Sequence, residues 1–302
     1  MSRSFSKESI ADRVFDIFIY IVMIFVFVVT LYPFLNILAI SLNDSNDAMR
    51  GGIGIFPRIF TLKNYQEIFK YQNLTHAFLI SVLRTVIGGV LGVISTCMVS
   101  YVLSRKDFMY RKLFTTLFVI TMYVGGGMIP DYMLMRHLGL LNNFWVYILP
   151  GLINTYNVLV VRSFIDGIPY SLQESAKLDG ANDFVIFYKI VMPLCVPVIA
   201  TISLFIAVGQ WNSWMDTYIY ASSRQNLSTL QYEMVKILNN TSAASGAGQS
   251  LINANDPSAA QTVSPTSIRM AITIVATIPI LLVYPFVQKY FISGMTLGAV
   301  KS

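Results

Sequence analysis

Charged side chains are scarce in this sequence, at 12% of 302 residues, where a typical soluble globular chain carries about a quarter. With 55% hydrophobic residues and a mean hydropathy of +0.62, that shortage excludes a large soluble core and leaves a polytopic membrane protein. Cysteine is nearly absent. Cys97 and Cys195 each sit in or at the edge of an apolar run, so they form neither a disulfide framework nor a metal cluster. Their simplest role is as small hydrophobes in helix packing. Histidine is equally rare, and His76 and His137 lie far apart on connecting segments without a neighbouring ligand or base, which removes the constellation an intramembrane enzyme requires.

Other absences narrow the reading further. No G-x-x-x-x-G-K-[ST] run occurs, and the glycines at 125–127 are followed by no lysine in a strand-to-helix setting, so ATP is not expected to bind this chain. The centres of the apolar runs lack Asp and Glu, the pointers expected of a channel or secondary transporter. A net charge of +6 would suggest nucleic acid only if gathered on one face; here it is scattered through short connections.

What is present is long apolar runs. Six can be drawn, at 17–40, 78–103, 113–135, 140–162, 193–215 and 266–290. At about 1.5 Å per residue each crosses a hydrocarbon core of about 30 Å as a helix. Helices are expected because their backbone amides are satisfied within the segment. The expected fold is all-α with six transmembrane helices: an N-terminus at 1–16, a first span at 17–40, a connection at 41–77 and a core at 78–290. The core contains connections at 163–192 and 216–265, and a tail follows at 291–302. The first run is too long for a signal-peptide h-region, contains Tyr32-Pro33-Phe34 and lacks a small-x-small cleavage site, so it is expected to be retained.

Basic residues give the orientation. With a cytoplasmic N-terminus, the inner segments and adjoining helix ends carry 12 Lys or Arg and the longer outer connections carry seven. This favours both termini inside. Arg84 and Arg269 remain, near outer ends of spans, either snorkelling to the interface or lining a polar route. Gly88 and Gly92 form a small-xxx-small pair for close helix approach. The glycines of GGGMIP, 125–130, weaken the third span, as a kink or as its end. A short helix is expected near Asn64–Phe69. The Asn, Ser, Ala and Gly-rich stretch at 239–265 reads as a mobile exterior loop.

One stretch is out of character. QESAKLDGANDFVIFYKIVMP, residues 173–193, is charged and turn-rich among apolar spans. Ser171 is placed to cap a first short helix, with Glu174 three residues on to complete a capping box. Asp179 and Gly180 stop it, glycine accepting a left-handed C-cap. A second helix is predicted from Asn182 or Asp183, with Phe184, Phe187, Tyr188 and Val191 forming one stripe. Pro193 then enters the first turn of the fifth span. Such a rigid elbow either lies on lipid headgroups or meets a protein below the membrane. Glu174, Asp179 and Asp183 weigh against the first, because a cytoplasmic lipid surface is negative.

The segment resembles the EAA loop of binding-protein-dependent ABC importer permeases, whose pattern is E-A-A, three residues, G, nine residues and I-x-L-P. Here Glu174-Ser175-Ala176 is followed by Lys177-Leu178-Asp179, Gly180, nine residues from Ala181, and Ile190-Val191-Met192-Pro193. Ser175 and Met192 are the departures. The ending YPFVQKYFISGMTLGAVK, 284–301, and GQWNSW, 209–214, extend the likeness to the six-span subunit of the maltose-type carbohydrate permeases. The 239–265 stretch is similar to a subgroup associated with oligosaccharide or uronate-containing substrates.

The resemblance implies a non-catalytic sugar-import subunit of a bacterial cytoplasmic membrane, surrounded by lipid. It would pair with a second, homologous permease, a dimer of cytoplasmic ATPase subunits that hold ATP and Mg, and an extracytoplasmic solute-binding protein. No cofactor belongs to this chain. The helix at about 171–179 would seat in an ATPase cleft, with the Phe184 stripe passing its movement to the spans. For sugar handling, Gln210, Trp211, Asn212 and Trp214 offer polar groups and aromatic platforms at one level of the fifth span, and Tyr123, Asn154 and Asn157 add polar atoms. For each of these the alternative is helix-helix hydrogen bonding or an interfacial aromatic belt.

Overall fold

Backbone amides that enter hydrocarbon must bond within their own segment, and the chain answers with helices throughout. A computed structural model describes residues 10–70, 72–246 and 264–299. Among these residues β-structure is confined to an isolated bridge between Asn43 and Phe60. The helices are α1 (Ile10–Ser41), α2 (Ser45–Met49), α3 (Lys63–Lys70), α4 (Gln72–Ser104), α5 (Arg111–Tyr123), α6 (Met128–His137), α7 (Thr155–Asp166), α8 (Ser171–Leu178), α9 (Asp183–Ile186), α10 (Met192–Leu194), α11 (Val196–Asn212), α12 (Met215–Tyr220), α13 (Leu230–Gly246) and α14 (Pro265–Ala299). The chain divides into two compact units, 1–70 with 240–275, and 71–239 with 276–302.

Among the described residues three helices are long and apolar enough to cross a membrane, within α1, α4 and α14. The number rises to five if two bent pairs each count as one span: α5 with α6, bent by 119°, and Asp183–Leu194 with α11, bent by 83°. Six spans are expected from the sequence, the third of them weakened at 125–130, and the run at 140–162 is where the expectation departs most from the structure. A 3-10 turn at Phe144–Tyr147 and turns through Pro150 and Gly151 precede α7. Pro150 cannot donate a helical hydrogen bond and disfavours helix at Leu149. Asn154 then caps α7, its side chain accepting from the Asn157 amide.

In the first unit, α1 leads into a hydrogen-bonded knot built by the part of the expected connection that runs from 41 to 70. The Asp44 side chain caps α2 by accepting from the Asn46 and Asp47 amides. Buried Asn64, on the expected short helix α3, donates to the Ser41 and Asn43 carbonyls at 2.8 and 2.9 Å and accepts from the Ser45 hydroxyl. The stretch expected as a loop from 239 is helical as far as Gly246; 247–263 lies outside the described residues, as do 1–9 of the N-terminal segment and 300–302 of the tail.

In the second unit α4 packs along α7 and α11. The Gly88 and Gly92 pair makes this possible: a Cβ at Gly88 would stand 3.0 Å from the Gln210 side chain, and one at Gly92 would stand 3.3 Å from Ile206. The Ser100 hydroxyl, buried on α4, donates to the Val158 carbonyl of α7 at 2.9 Å. Cys97 and Cys195 are both buried in the apolar cluster that joins these helices. The GGG run ends α5 outright rather than bending it gently. Val124 is extended, and Gly127 caps α6 with φ +88° and ψ 169°, an essentially glycine-only region that costs an L-residue about 1–3 kcal/mol. Open space surrounds a Cβ there. Gly127→Ala is therefore expected to lower stability by about 1–3 kcal/mol through the backbone alone, read as a lower thermal midpoint in detergent, whereas Gly125→Ala should be nearly silent.

Candidate functional site

The elbow is built from capping groups. Pro169 opens α8 early: the Leu172 amide donates to the Pro169 carbonyl and the Gln173 and Glu174 amides to Tyr170. Tyr170 is thus the N-cap, without a side-chain bond, and Ser171 lies one residue too late to complete the expected capping box with Glu174. The other end matches expectation. Gly180 has φ +81°, its amide donates to the Lys177 carbonyl and that of Ala181 to Ala176 at 2.9 Å, the paired bonds of a Schellman stop. Asn182 caps α9, accepting from the Val185 amide at 2.9 Å.

Burial sorts α8 into two faces. Gln173 and Ala176, three apart, are buried; Leu172, Glu174, Ser175 and Lys177 are exposed, and Leu178 is 89% exposed. The expected Phe184 stripe does not form. Phe184 is 72% exposed and Tyr188 is likewise exposed, whereas Ile186 and Val191 are fully buried. The cause is a π-helical turn at Phe187–Val191, whose i→i+5 bonds rotate the register away from 3.6-residue spacing. Pro193 explains its position: without an N–H, and with a ring that would press on the carbonyl four residues earlier, it cannot continue a regular helix. The wider turn accommodates it, and Pro197 follows at the start of α11.

An ion-pair hub, not anticipated from sequence, holds this elbow to α4. Arg105 directly follows α4 and is 7% exposed. Its guanidinium donates to Asp107 at 2.9 and 2.6 Å, to the Tyr101 hydroxyl at 3.0 Å and pairs with Asp183 at 2.8 Å. Lys177 adds a bond to Asp107 at 3.2 Å. The sequence showed Arg105 only as an orientation charge and Lys177 as a member of the EAA-like pattern, with no sign of their shared carboxylate.

A second polar cluster lies deeper in the same unit. Arg84, 2% exposed, pairs with Asp216 at 2.5 and 3.2 Å and donates to Gln210 Oε1 at 2.9 and 3.0 Å. It also donates to the Ser213 carbonyl and lies 4.6 Å from the Tyr147 ring centroid. Arg84 therefore neither snorkels nor stands free.

Of the residues picked for sugar handling, Gln210 belongs to this cluster and also donates to the Tyr147 carbonyl. Trp211 is buried, donating its indole N–H to the Ala276 carbonyl at 2.9 Å and meeting Phe78 edge-on at 5.9 Å. It borders an apolar cavity of about 160 Å³ with Thr85, Val86 and Pro279. Asn212 accepts from Gln231. Trp214 leans on Tyr218 at 6.3 Å. Tyr123 is exposed at the end of α5, Asn154 is a cap and Asn157 is buried. The Thr121 and Thr155 hydroxyls, 3.2 Å apart, join the ends of α5 and α7. Asp216 and Tyr147, missed from sequence, give no local signal, since their partner Arg84 is 132 residues from Asp216. Among the described residues no three His, Cys, Asp or Glu side chains could hold a metal ion.

The helices and their apolar surfaces define an all-α, multi-pass membrane protein. No protein-family model matches the sequence. The chain is 38% identical over 292 residues to the polygalacturonan/rhamnogalacturonan transport system permease protein YtcP of Bacillus subtilis, covering 96% of this chain and 99% of that one. It is 35% identical to protein LplC of the same organism, over 96% of each. It also matches a crystal structure of a bacterial ABC transporter involved in import of the acidic polysaccharide alginate, with TM-score 0.79 and 26% identity over 95% of this chain and 99% of that one. The chain belongs to the ABC-transporter permease subunits, and its relatives serve saccharide transport systems.

Two outcomes are expected. Asp216→Ala leaves Arg84 buried and unpaired, at a cost of about 3–5 kcal/mol, and Arg84→Met with Asp216→Leu should recover most of it; thermal midpoints in detergent check both. The Arg105 hydrogen bonds hold the Asp107 carboxyl well below the usual carboxylate range, with Lys177 adding to the effect. A lowered carboxylate pKa supplies stability that is present above the unfolded value of about 3.9 and is lost as pH falls through the folded value. Wild type and Asp107→Asn should accordingly differ at neutral pH and begin to converge only as pH falls below about 4, meeting near the lower folded value, in a pH series of thermal midpoints.

Proposed function

We propose that this chain is one of two membrane-spanning subunits of an ATP-driven importer of polysaccharide-derived sugars, forming half of the translocation path. α8 serves as the handle gripped by a cytoplasmic ATPase subunit. The observation that carries this reading is α8 itself: a short helix anchored by Gln173 and Ala176, stopped by a Schellman turn at Gly180, and presenting Glu174, Ser175 and Leu178 outward. That exposed edge coincides with the Glu174 to Pro193 spacing of the EAA pattern.

In this reading both termini are cytoplasmic and the chain crosses six times, with the interrupted 140–162 stretch as the fourth crossing. The segments at 1–16, 104–112, 163–192 and 291–302 face inward, and 41–77 and 216–265 face the solute-binding protein. The second permease completes the path, as in the maltose-type systems the chain resembles. ATP and Mg stay on the ATPase dimer, and closure of that dimer displaces Glu174, Ser175, Ala176, Lys177, Leu178, Asp179, Gly180 and Ala181 together, with Pro193 as the fixed entry to α11. A two-state membrane core biased by nucleotide then alternates its access.

The substrate class follows the transport systems of the relatives, which handle polygalacturonan, rhamnogalacturonan and alginate. Trp214, Tyr123, Asn154 and Asn212 are the accessible members of the proposed path, while Gln210, Trp211 and Asn157 hold the wall behind them.

Glu174→Ala and Gly180→Pro are expected to reduce uptake per ATP hydrolysed by roughly tenfold or more while the subunit still inserts. Gly180→Pro acts because proline cannot adopt a positive φ and removes the amide that closes the helix. Uptake and ATP hydrolysis in proteoliposomes carrying the whole complex measure this; unchanged coupling in both variants would refute the handle.

A further inference from the structure

We propose that Arg105 is a positioning residue for energy coupling: it clasps the α8–α9 elbow to the end of α4, so that displacement of the elbow carries α4 with it. The inference rests on α8 being the ATPase-facing handle and goes beyond it by naming how the handle's movement enters the membrane.

The geometry exceeds what closing a loop requires. Asp107, two residues away, would satisfy Arg105 by itself with its paired bonds of 2.9 and 2.6 Å. The same guanidinium also takes Asp183, in the first turn of α9, at 2.8 Å. Asp107 in turn takes Lys177 from α8 at 3.2 Å. One cation and one carboxylate thereby join three separate elements. The Arg105 side chain is 8% exposed, whereas those of Asp107 and Asp183 are 52% and 65% exposed. Solvent screening makes such pairs weak contributors to folding, so their arrangement serves position more than stability.

The clasp has an apolar continuation. Tyr101, one helical turn before Arg105, donates ring contact to Phe187 with centroids 5.2 Å apart, and Phe187 opens the π-turn that leads to α11. The alternative route through Phe184 and Tyr188 is not available within this chain, since both are exposed. α4 packs along both α7 and α11. Movement delivered to its end therefore reaches the body of the unit, whereas an unclasped elbow would keep only its apolar packing through Ala176 and Ile186 and its backbone links to α7 and α11.

The test uses the complete complex in nanodiscs and compares ATP hydrolysis with and without its solute-binding protein. Arg105→Gln is expected to keep basal hydrolysis and lose stimulation by about fivefold or more. Arg105→Lys, which preserves the charge, should regain at least half of the stimulation, and Asp183→Asn should fall in the same way as Arg105→Gln. The double variant should be no worse than Arg105→Gln, since both substitutions open one clasp. Wild-type stimulation in both Arg105→Gln and Asp183→Asn overturns the inference while leaving the handle intact, and so does equal failure of Arg105→Lys and Arg105→Gln with poor assembly. If Arg105→Gln does not assemble, Asp183→Asn decides: unchanged stimulation rejects the clasp and lost stimulation supports it. A wild-type complex that the binding protein does not stimulate removes the handle and the clasp together.

Discussion

The Arg84 guanidinium sits among α4, α11, α12 and the 3-10 turn before α7, and its charge is tolerable there because Asp216 and Gln210 are brought to it. Removing an ion from water costs several kcal/mol unless its donors are met with good geometry. Two carboxylate contacts, two contacts to an amide oxygen, a backbone carbonyl and an aromatic face meet that condition. The arrangement has a packing requirement. Gln210 reaches Arg84 only because Gly88 has no side chain, so the close approach of α4 to α11 and the neutralisation of the arginine are one constraint. Helices that would otherwise meet through interchangeable apolar contacts are thereby fixed in a single register.

The opposite end of α4 is organised differently. There a buried arginine meets carboxylates that water still reaches, and the elements it joins are short, capped and partly exposed. α8 derives little hold from its own length, since so short a helix is marginal in isolation. It depends on Gln173 and Ala176 beneath it, on the Gly180 stop and on the Arg105 hub. The contrast suits a transporter subunit: a desolvated pair where packing must not change, and a screened, exchangeable set of pairs where a partner would apply force.

Legibility in the sequence followed the range of the interactions. α1, α4 and α14 were visible as apolar runs, and α3 was visible between its turn residues. Gly180 and Asn182 were readable because capping is decided by neighbours within a few residues. Ser171 misled because Pro169 starts α8 one residue earlier than the capping rule supposes. The stripe through Phe184 and Tyr188 misled because periodicity assumes 3.6 residues per turn, and Pro193 imposes a wider one. Asp216, Tyr147 and the pairing of Arg105 with Asp183 could not be found at all, since nothing local ties α4 to α12 or to α9. Trp211 and Gln210 drew attention by residue type, but their hydrogen bonds run inward, to Ala276 and to Arg84.

The wide turn at Phe187–Val191 has a mechanical consequence. Ile186 and Val191, five residues apart, are both fully buried, and only i→i+5 winding puts both on one side. Tightening to ordinary winding would swing one of them into water, at about 1.5–3 kcal/mol for a side chain of that size. The turn is therefore pinned at both ends, and rewinding between α9 and α10 is opposed by the packing of both side chains.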